Sequence, residues 1–217
     1  MLQQTRVEAV IPYWIKWMHS FPTVHDLAAA TEDQVNAHWA GLGFYRRARL
    51  LHQGAQLVVR DYHGQLPTTV DGLLKITGIG PYTASAIASI AFQVRVPVVD
   101  GNVCRVLGRL TGIANHIKAP ALKDKHGWDL AHQLVQGSDC AAGEINQALM
   151  ELGATYCAPS GTGIDPRDPL QDFYLSTRIA KAYHTLCQES STPLPMSIPE
   201  SCQCGVCDSN GIQAVLR

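Results

Sequence analysis

The sequence has little charge and no long apolar run. Charged residues make up 16% of its 217 residues, and 17 Lys and Arg stand against 18 Asp and Glu. Such a balance argues against a strongly basic nucleic-acid-binding domain. No apolar stretch approaches ~18 residues, which excludes a membrane span, and the first residues do not resemble a signal or transit peptide. Hydrophobic residues, at 46%, nevertheless supply enough apolar surface for a folded core.

Cysteine is sparse in most of the chain and concentrated near its end. The total of 7 is odd, and nothing indicates secretion, so metal ligation or free thiols are favoured over a disulfide framework. The spacing Cys204-x2-Cys207 is typical of zinc sites. We therefore expect a zinc site in this polar segment, with free thiols as the open alternative. Its candidate ligands are Cys187, Cys202, Cys204 and Cys207.

Helix signals run along most of the chain. Thr31-Glu32-Asp33-Gln34 has the form of a capping box, and helices are expected near 69–76, 82–92, 103–110, 120–136, 143–155 and 170–187. A longer helix is expected before Gly64 and Pro67, with one apolar face made of Ala48, Leu51, Ala55, Val58 and Tyr62. A first helix is predicted by one apolar stripe with helical spacing: Val7, Val10, Ile11, Trp14, Ile15 and Met18. Only Val96–Val99 is strand-like, and it is too short to found a sheet. The predicted fold class is all-α.

A glycine-rich turn, Gly78-Ile79-Gly80, joins two of these helices. Its backbone N–H groups and the positive end of the next helix can hold a phosphate without sequence preference. Pro81 suits the first helical position. An ordinary helix–helix turn is the alternative for an isolated Gly-x-Gly.

The wider stretch, Leu74 to Ala84, resembles the helix–hairpin–helix of the DNA glycosylase superfamily that includes endonuclease III. Val98-Val99-Asp100-Gly101-Asn102 lies where that superfamily places an aspartate, roughly twenty residues later. Three further segments, Met1–Thr5, Trp39–Arg49 and Asn146–Ala154, resemble the adenine-excising MutY branch. The resemblance covers about residues 1–157.

This resemblance implies a helix–hairpin–helix glycosylase fold of two helical subdomains with the active site in the cleft between them. The expected subdomains are 1–113, with the hairpin motif at about 70–92, and 114–187. Residues 188–217 are expected to form a linker toward a C-terminal domain.

The resemblance also assigns the catalytic residues. Asp100 would stabilise the positive charge that develops on the sugar as the base leaves, although Asp is also a favoured helix cap. Asn102 would orient the site. Tyr82 stands where nicking glycosylases carry the lysine that forms a Schiff base, so a monofunctional enzyme is expected; plain helix packing is the alternative for Tyr82.

The DNA-contacting residues are assigned in the same way. The N-terminal segment and the aromatic pair Phe44-Tyr45 would fill the gap and probe the opposite base, with core packing open as an alternative for the pair. Gln147 would recognise a flipped-out adenine. Arg46, Arg47 and Arg49 supply local positive charge that would contact phosphates, with a solvated helix face as the alternative. The full set is Gln3, Gln4, Thr5, Phe44, Tyr45, Arg46, Arg49, Gly78, Gly80, Thr83 and Gln147.

The sequence departs from the family in two places. The family's general-acid glutamate lies two residues before the methionine at position 1, so we expect a polypeptide of these residues to be impaired. The family usually holds a 4Fe–4S cluster with Cys-x6-Cys-x2-Cys-x5-Cys. Cys157 matches the first ligand, but the next positions hold Ile164, Arg167 and Phe173. We therefore expect no cluster here.

The resulting hypothesis is a base-excision-repair adenine glycosylase acting on adenine opposite 8-oxoguanine or guanine. Its partners would be double-stranded DNA with such mispairs and, through the linker, repair and replication proteins; a monomer is expected. A eukaryotic member would act in the nucleus or the mitochondrion. The alternative is a non-catalytic module that binds mismatched DNA or a repair partner. A nicking enzyme is disfavoured by Tyr82.

Overall fold

A computed structural model describes residues 1–3, 5–113, 126–157, 165–179 and 181–182, and all regular secondary structure in these ranges is helical. Val96–Val99 has no regular secondary structure, and no strand occurs in these ranges, which agrees with the all-α prediction. Among the residues described, no helix is both long and apolar enough to cross a membrane. The helices are α1 Val7–Ser20, α2 Val24–Ala29, α3 Glu32–Trp39, α4 Arg46–Tyr62, α5 Val70–Leu73, α6 Pro81–Ile90, α7 Gly101–Thr111, α8 Gly127–Gln136 and α9 Ala142–Ala154.

The chain divides into two compact units, Met1–Ala88 and Ser89–Arg217. Helices α1 to α5 and most of α6 belong to the first unit, and α7 to α9 belong to the second. The subdomain limits expected at 113 and 187 stay predictions.

Local sequence signals set several helix ends. Thr31 accepts a hydrogen bond from the Gln34 N–H, and the Gln34 side chain accepts one from the Thr31 N–H, so the capping box is confirmed. Thr23 and Asp26 form a second capping box at the start of α2. Pro81 is the first residue of α6, as predicted, because its missing N–H has no helical partner there in any case.

The apolar stripe of α1 predicts the helix correctly but not its buried side. Of the six residues in the stripe only Val10 is buried. Trp14 is 54% exposed and Ile15 is 63% exposed. The contact with the core of the first unit is made instead by Val10 together with Trp17, whose indole packs edge-on against Trp39.

In the second unit, α7 is the central helix of the core. It packs against α8 and α9 and buries every residue from 103 to 109, two arginines included. The helix expected over 170–187 is interrupted: a 3-10 turn spans Gln171–Phe173, and Tyr174 separates it from helical residues 175–179. Tyr174 is fully buried in the core.

Candidate active site

Asp100 caps the N-terminus of α7. Its Oδ1 accepts hydrogen bonds from the backbone N–H groups of Asn102 and Val103, both at 2.8 Å. Asp100 is therefore a helix cap, as its residue type indicated. Since one oxygen takes both backbone bonds, the other oxygen, Oδ2, can interact with a further positive group while the carboxylate stays fixed in place.

Asn102 is held so that its amide faces that second oxygen. Asn102 Nδ2 donates to Asp100 Oδ2 at 3.1 Å, and Asn102 Oδ1 accepts from Arg105 Nη2 at 2.7 Å. A guanidinium has only donors, so it selects the oxygen end of the amide and turns the NH₂ end toward the carboxylate. The resemblance predicted Asn102; the structure adds Arg105, which it did not assign.

Arg105 anchors this arrangement to the end of α9. Its Nε donates to Cys157 O and its Nη2 to Gly153 O, each at 2.6 Å. Burial is the main cause that lowers the pKa of the Arg105 guanidinium, which nevertheless stays protonated at neutral pH. A side chain at Gly153 would place a Cβ 2.5 Å from Asn102 Cβ. Glycine is therefore required for α9 to lie this close to α7.

A buried amide supports the segment that leads to Asp100. Asn146, in α9, is fully buried. Its Oδ1 accepts from the Val98 N–H at 3.1 Å, and its Nδ2 donates to Val96 O at 2.9 Å and to Ser89 Oγ at 3.0 Å. Sequence reasoning gave Asn146 no role. The available signal was its position on the buried stripe Ala142, Asn146, Leu149 and Gly153, where a polar residue needs partners.

The hairpin lies against α4 in the first unit. Gly78 has φ +88°, and a Cβ there would lie 2.9 Å from Leu50 Cβ. A Cβ on Gly54 would lie 2.8 Å from Thr77 O, so glycines on both sides permit the close approach. Gly80 has open space around it, as a turn that approaches an outside group requires.

Tyr82 and Thr83 are the second and third residues of α6, and both are half-buried. Their place at the helix start is the one that the hairpin motif predicts. Their roles toward DNA stay predictions.

The predicted wedge residues of the first unit lie on two neighbouring segments. Phe44 and Tyr45 are 63% and 48% exposed, so the core-packing alternative for this pair is wrong. Phe44 has φ +51°, a left-handed conformation that is uncommon for a bulky residue and that often marks functional sites. Gln3 is exposed and Thr5 half-buried; Gln4 lies outside the described residues.

Arg47 joins the two segments. Its Nη1 donates to Met1 O at 2.8 Å and also to Gln3 O, and its Nη2 donates to Gly43 O at 3.3 Å. The guanidinium also lies over the Phe44 ring, 5.5 Å from its centroid. Sequence reasoning counted Arg47 only among the local positive charges, because its spacing resembles that of its surface neighbours.

Arg46 and Arg49 lie on the solvent side of the α4 N-terminus. Both are exposed, and with Glu32, Asn36 and Tyr45 they line an open pocket of about 330 Å³. No acidic residue stands in the first turn of α4. The solvated position fits phosphate contact and also fits a simple surface face.

Gln147 lies on the surface of α9. It is exposed, and its Nε2 donates to Gly143 O in the same helix at 3.0 Å. This bond uses one amide hydrogen and leaves the other hydrogen and Oε1 of Gln147 able to bind a base.

The residues at the family's cluster positions do not fit an iron–sulfur cluster. Cys157 Sγ is buried and accepts a hydrogen bond from Arg109 Nη1 at 3.2 Å. Arg167 instead pairs with Asp165 and lowers the pKa of that carboxyl to about 2. Phe173 is 67% exposed, and Ile164 lies outside the described residues. Within the part of the chain that is described, no three potential ligands lie together.

Tyr174 occupies the core beside Cys157 instead. Its hydroxyl donates to Asp168 Oδ2 at 2.8 Å; burial and this bond raise the pKa of Tyr174. Cys187, Cys202, Cys204 and Cys207 lie outside the described residues, so no structural observation supports the zinc prediction.

Comparison with known proteins identifies the family. Residues 1–133 match "HhH-GPD superfamily base excision DNA repair protein". The chain belongs to the HhH-GPD superfamily. The adenine DNA glycosylase of Arabidopsis thaliana is similar to this HhH-GPD chain at 48% identity, over 74% of this chain and 28% of its own length. That of Homo sapiens is 49% identical over 73% and 29%, and that of Mycolicibacterium smegmatis 43% identical over 72% and 52%.

Solved HhH-GPD structures share the fold. A thermostable thymine-DNA glycosylase superposes with a TM-score of 0.65 at 28% identity, covering 73% of this chain and 72% of that one. An endonuclease III trapped covalently on DNA gives 0.63 at 23% identity, covering 82% and 81%. The helix–hairpin–helix fold predicted from the sequence is thus confirmed. The chain spans under a third of the length of the plant and human relatives.

Proposed function

We propose that this chain forms the excision domain of an adenine DNA glycosylase. It would hydrolyse the N-glycosidic bond of adenine opposite 8-oxoguanine or guanine, without cleaving the strand. The observation that carries the proposal is the Asp100 carboxylate, fixed by two backbone bonds and aligned by Asn102. The relatives named adenine DNA glycosylase support the choice of base.

The chemistry asked of Asp100 is electrostatic. As the bond to adenine breaks, positive charge develops on the deoxyribose, and a carboxylate already in place stabilises it without reorganisation. The two backbone bonds leave the charge on Asp100 but restrict its position. Asn102 sets the direction of Oδ2, and Arg105 sets the direction of Asn102.

Access to the bond requires the adenine to leave the stack. Phe44 and Tyr45, exposed beside Gln3, would fill the space that it vacates. Gln147 would hydrogen-bond the extruded base through its Oε1 and its second amide hydrogen. The hairpin at Gly78–Gly80 would bind phosphate through backbone N–H groups, which confers no sequence preference.

Tyr82 is the basis for expecting no strand cleavage. Cleavage by this superfamily's nicking enzymes proceeds through a Schiff base, which requires an amine. A phenol cannot form one, so water is the expected nucleophile, and the product is an abasic site.

The test measures single-turnover adenine release and duplex binding by the same polypeptide. The substrate is an 8-oxoguanine·adenine duplex, with an 8-oxoguanine·cytosine duplex as control. We expect tighter binding of the 8-oxoguanine·adenine duplex than of the control, and release of adenine only from the former.

Two results would contradict the proposal. Equal affinity for the adenine and cytosine duplexes would contradict the proposed specificity for adenine. A covalent protein–DNA adduct after borohydride treatment would show a Schiff base and overturn the monofunctional assignment.

A further inference from the structure

Asn146 lies outside the group of residues that surround the Asp100 carboxylate, yet it controls the backbone that leads to it. The residues from 91 to 100 form neither helix nor strand, although Val98 and Val99 are buried. Buried backbone groups without a regular ladder need other partners. Asn146 provides them on both sides of Pro97, by accepting from the Val98 N–H and donating to Val96 O.

An amide is the side-chain group suited to this task, because it offers a donor and an acceptor at once. It pairs with the Val96–Val98 backbone as a neighbouring strand would. Its second donor is taken by Ser89 Oγ at 3.0 Å, so all three bonds are to protein groups and the amide has a defined orientation.

Helix α9 therefore holds Asp100 from both directions along the chain. Before Asp100, Asn146 fixes Val98, two residues away. After it, the α9 carbonyl Gly153 O fixes Arg105, which fixes Asn102. Gly143 lets α9 approach the backbone at Ser89 closely, since a Cβ at position 143 would lie 2.6 Å from Ser89 O.

We propose that Asn146 is a positioning residue for Asp100, acting through the Val96–Val98 backbone rather than by contact with the substrate. This inference rests on the proposed function, in which Asp100 faces a positive charge. Loss of the amide would let the segment shift, and a misplacement of ~1 Å can cost about 100-fold in such a site.

The test uses two duplex probes that differ in charge and need no catalysis. Each places 8-oxoguanine opposite a stable abasic sugar, either neutral tetrahydrofuran or a cationic pyrrolidine that carries an ammonium near the position of the developing charge. The measured quantity is the charge preference, defined as the Kd for the neutral probe divided by the Kd for the cationic probe. A well-placed carboxylate is expected to give a preference of about tenfold or more.

The variants separate positioning from packing. Asn146→Ala removes the donors and the acceptor without adding charge, and Asn146→Leu removes them at a larger side-chain volume. Ser89→Ala removes one bond and leaves the two to the backbone. Leu149→Ala, on the same helix, loses buried apolar contact without touching the amide. All are measured at temperatures where circular dichroism shows a folded protein.

We expect both Asn146 variants to lose most of the charge preference, about tenfold or more, with affinity for the neutral probe changed far less. Ser89→Ala and Leu149→Ala should retain it. An unchanged preference in a folded Asn146 variant would overturn the inference, as would an equal loss in Leu149→Ala. Should Asn146→Leu not fold, Asn146→Ala, which adds neither bulk nor charge, decides. A native chain that binds both probes equally would instead contradict the proposed function itself.

Discussion

Helices α6 and α7 both begin beside a proposed functional group, but their N-termini differ in charge. At α7 the backbone N–H groups bind the carboxylate of Asp100, a residue of the chain itself. At α6 the first turn contains no acidic residue and follows the glycine turn Gly78–Gly80. Each helix start is positive. In the proposed function, the α7 start holds an internal anion that faces a cationic sugar, and the α6 start would attract an external anion such as a phosphate.

The two helix starts also differ in what fixes their shape. The hairpin has its shape from backbone conformation and close contact with α4. The Asp100 site has its shape from side chains that orient one another through Asn102, Arg105 and α9. Substitutions at the hairpin should therefore change affinity for any duplex, whereas substitutions around Asp100 should change the response to charge.

The largest effect is expected for Asp100→Asn. Asparagine caps a helix about as well as aspartate, so thermal unfolding should change little, but the charge is gone. The charge preference should fall to about one, a loss of tenfold or more. Asp129→Asn is the matched control, because Asp129 is an exposed aspartate in the first turn of α8. A preserved preference in Asp100→Asn would show that the carboxylate does not face the sugar.

Gly153→Ala should disturb the Asp100 site from α9, the helix that packs against Asn102. The new Cβ, 2.5 Å from Asn102 Cβ, forces α7 and α9 apart at a cost of about 1–3 kcal/mol. It should also lower the charge preference by moving Asn102. In Gly101→Ala the Cβ meets nothing within 4 Å, so stability should hold. Chemical unfolding of the two variants checks this, and equal stability would contradict the close-approach argument.

These local contacts show what the sequence could and could not predict. The caps at Thr31 and Asp100 follow from residues two or three positions apart, so a sequence pattern contains them. The roles of Arg105 and Asn146 depend on groups 48 residues away. Arg105 and Arg109 have the spacing of a solvated helix face, yet both are buried. Helical spacing located α1, but its buried side depends on Trp39, far along the chain.

A smaller effect is expected for Gly78→Ala. A left-handed conformation with φ +88° costs a non-glycine residue about 1–2 kcal/mol, and the Cβ also meets Leu50. Affinity for both probes should fall together, with an unchanged charge preference. Gly80→Ala, with open space around it, is the stability control. If Gly78→Ala altered the charge preference instead, the separation between the two helix starts would be wrong.

The smallest effect is expected for Arg49→Ala. Arg49 is an exposed cation beside the pocket at the α4 N-terminus. Loss of one phosphate contact should weaken duplex binding a few-fold and reduce the slope of log Kd against log salt by about 1. Arg60→Ala is the control, because Arg60 is also exposed on α4 but pairs with Asp61. Identical salt slopes for both variants would show that Arg49 does not contact a DNA phosphate.

Arg47 links the movement of two segments of the first unit. Its guanidinium binds carbonyls of the N-terminal segment and of the turn before Phe44, so neither segment can move far without the other. Entry of Gln3 and Phe44 into a duplex would then be a single kinetic event. A fluorescent base on either strand should report the same rate constant, and an enzyme scanning undamaged DNA would cross one barrier at each base pair that it tests.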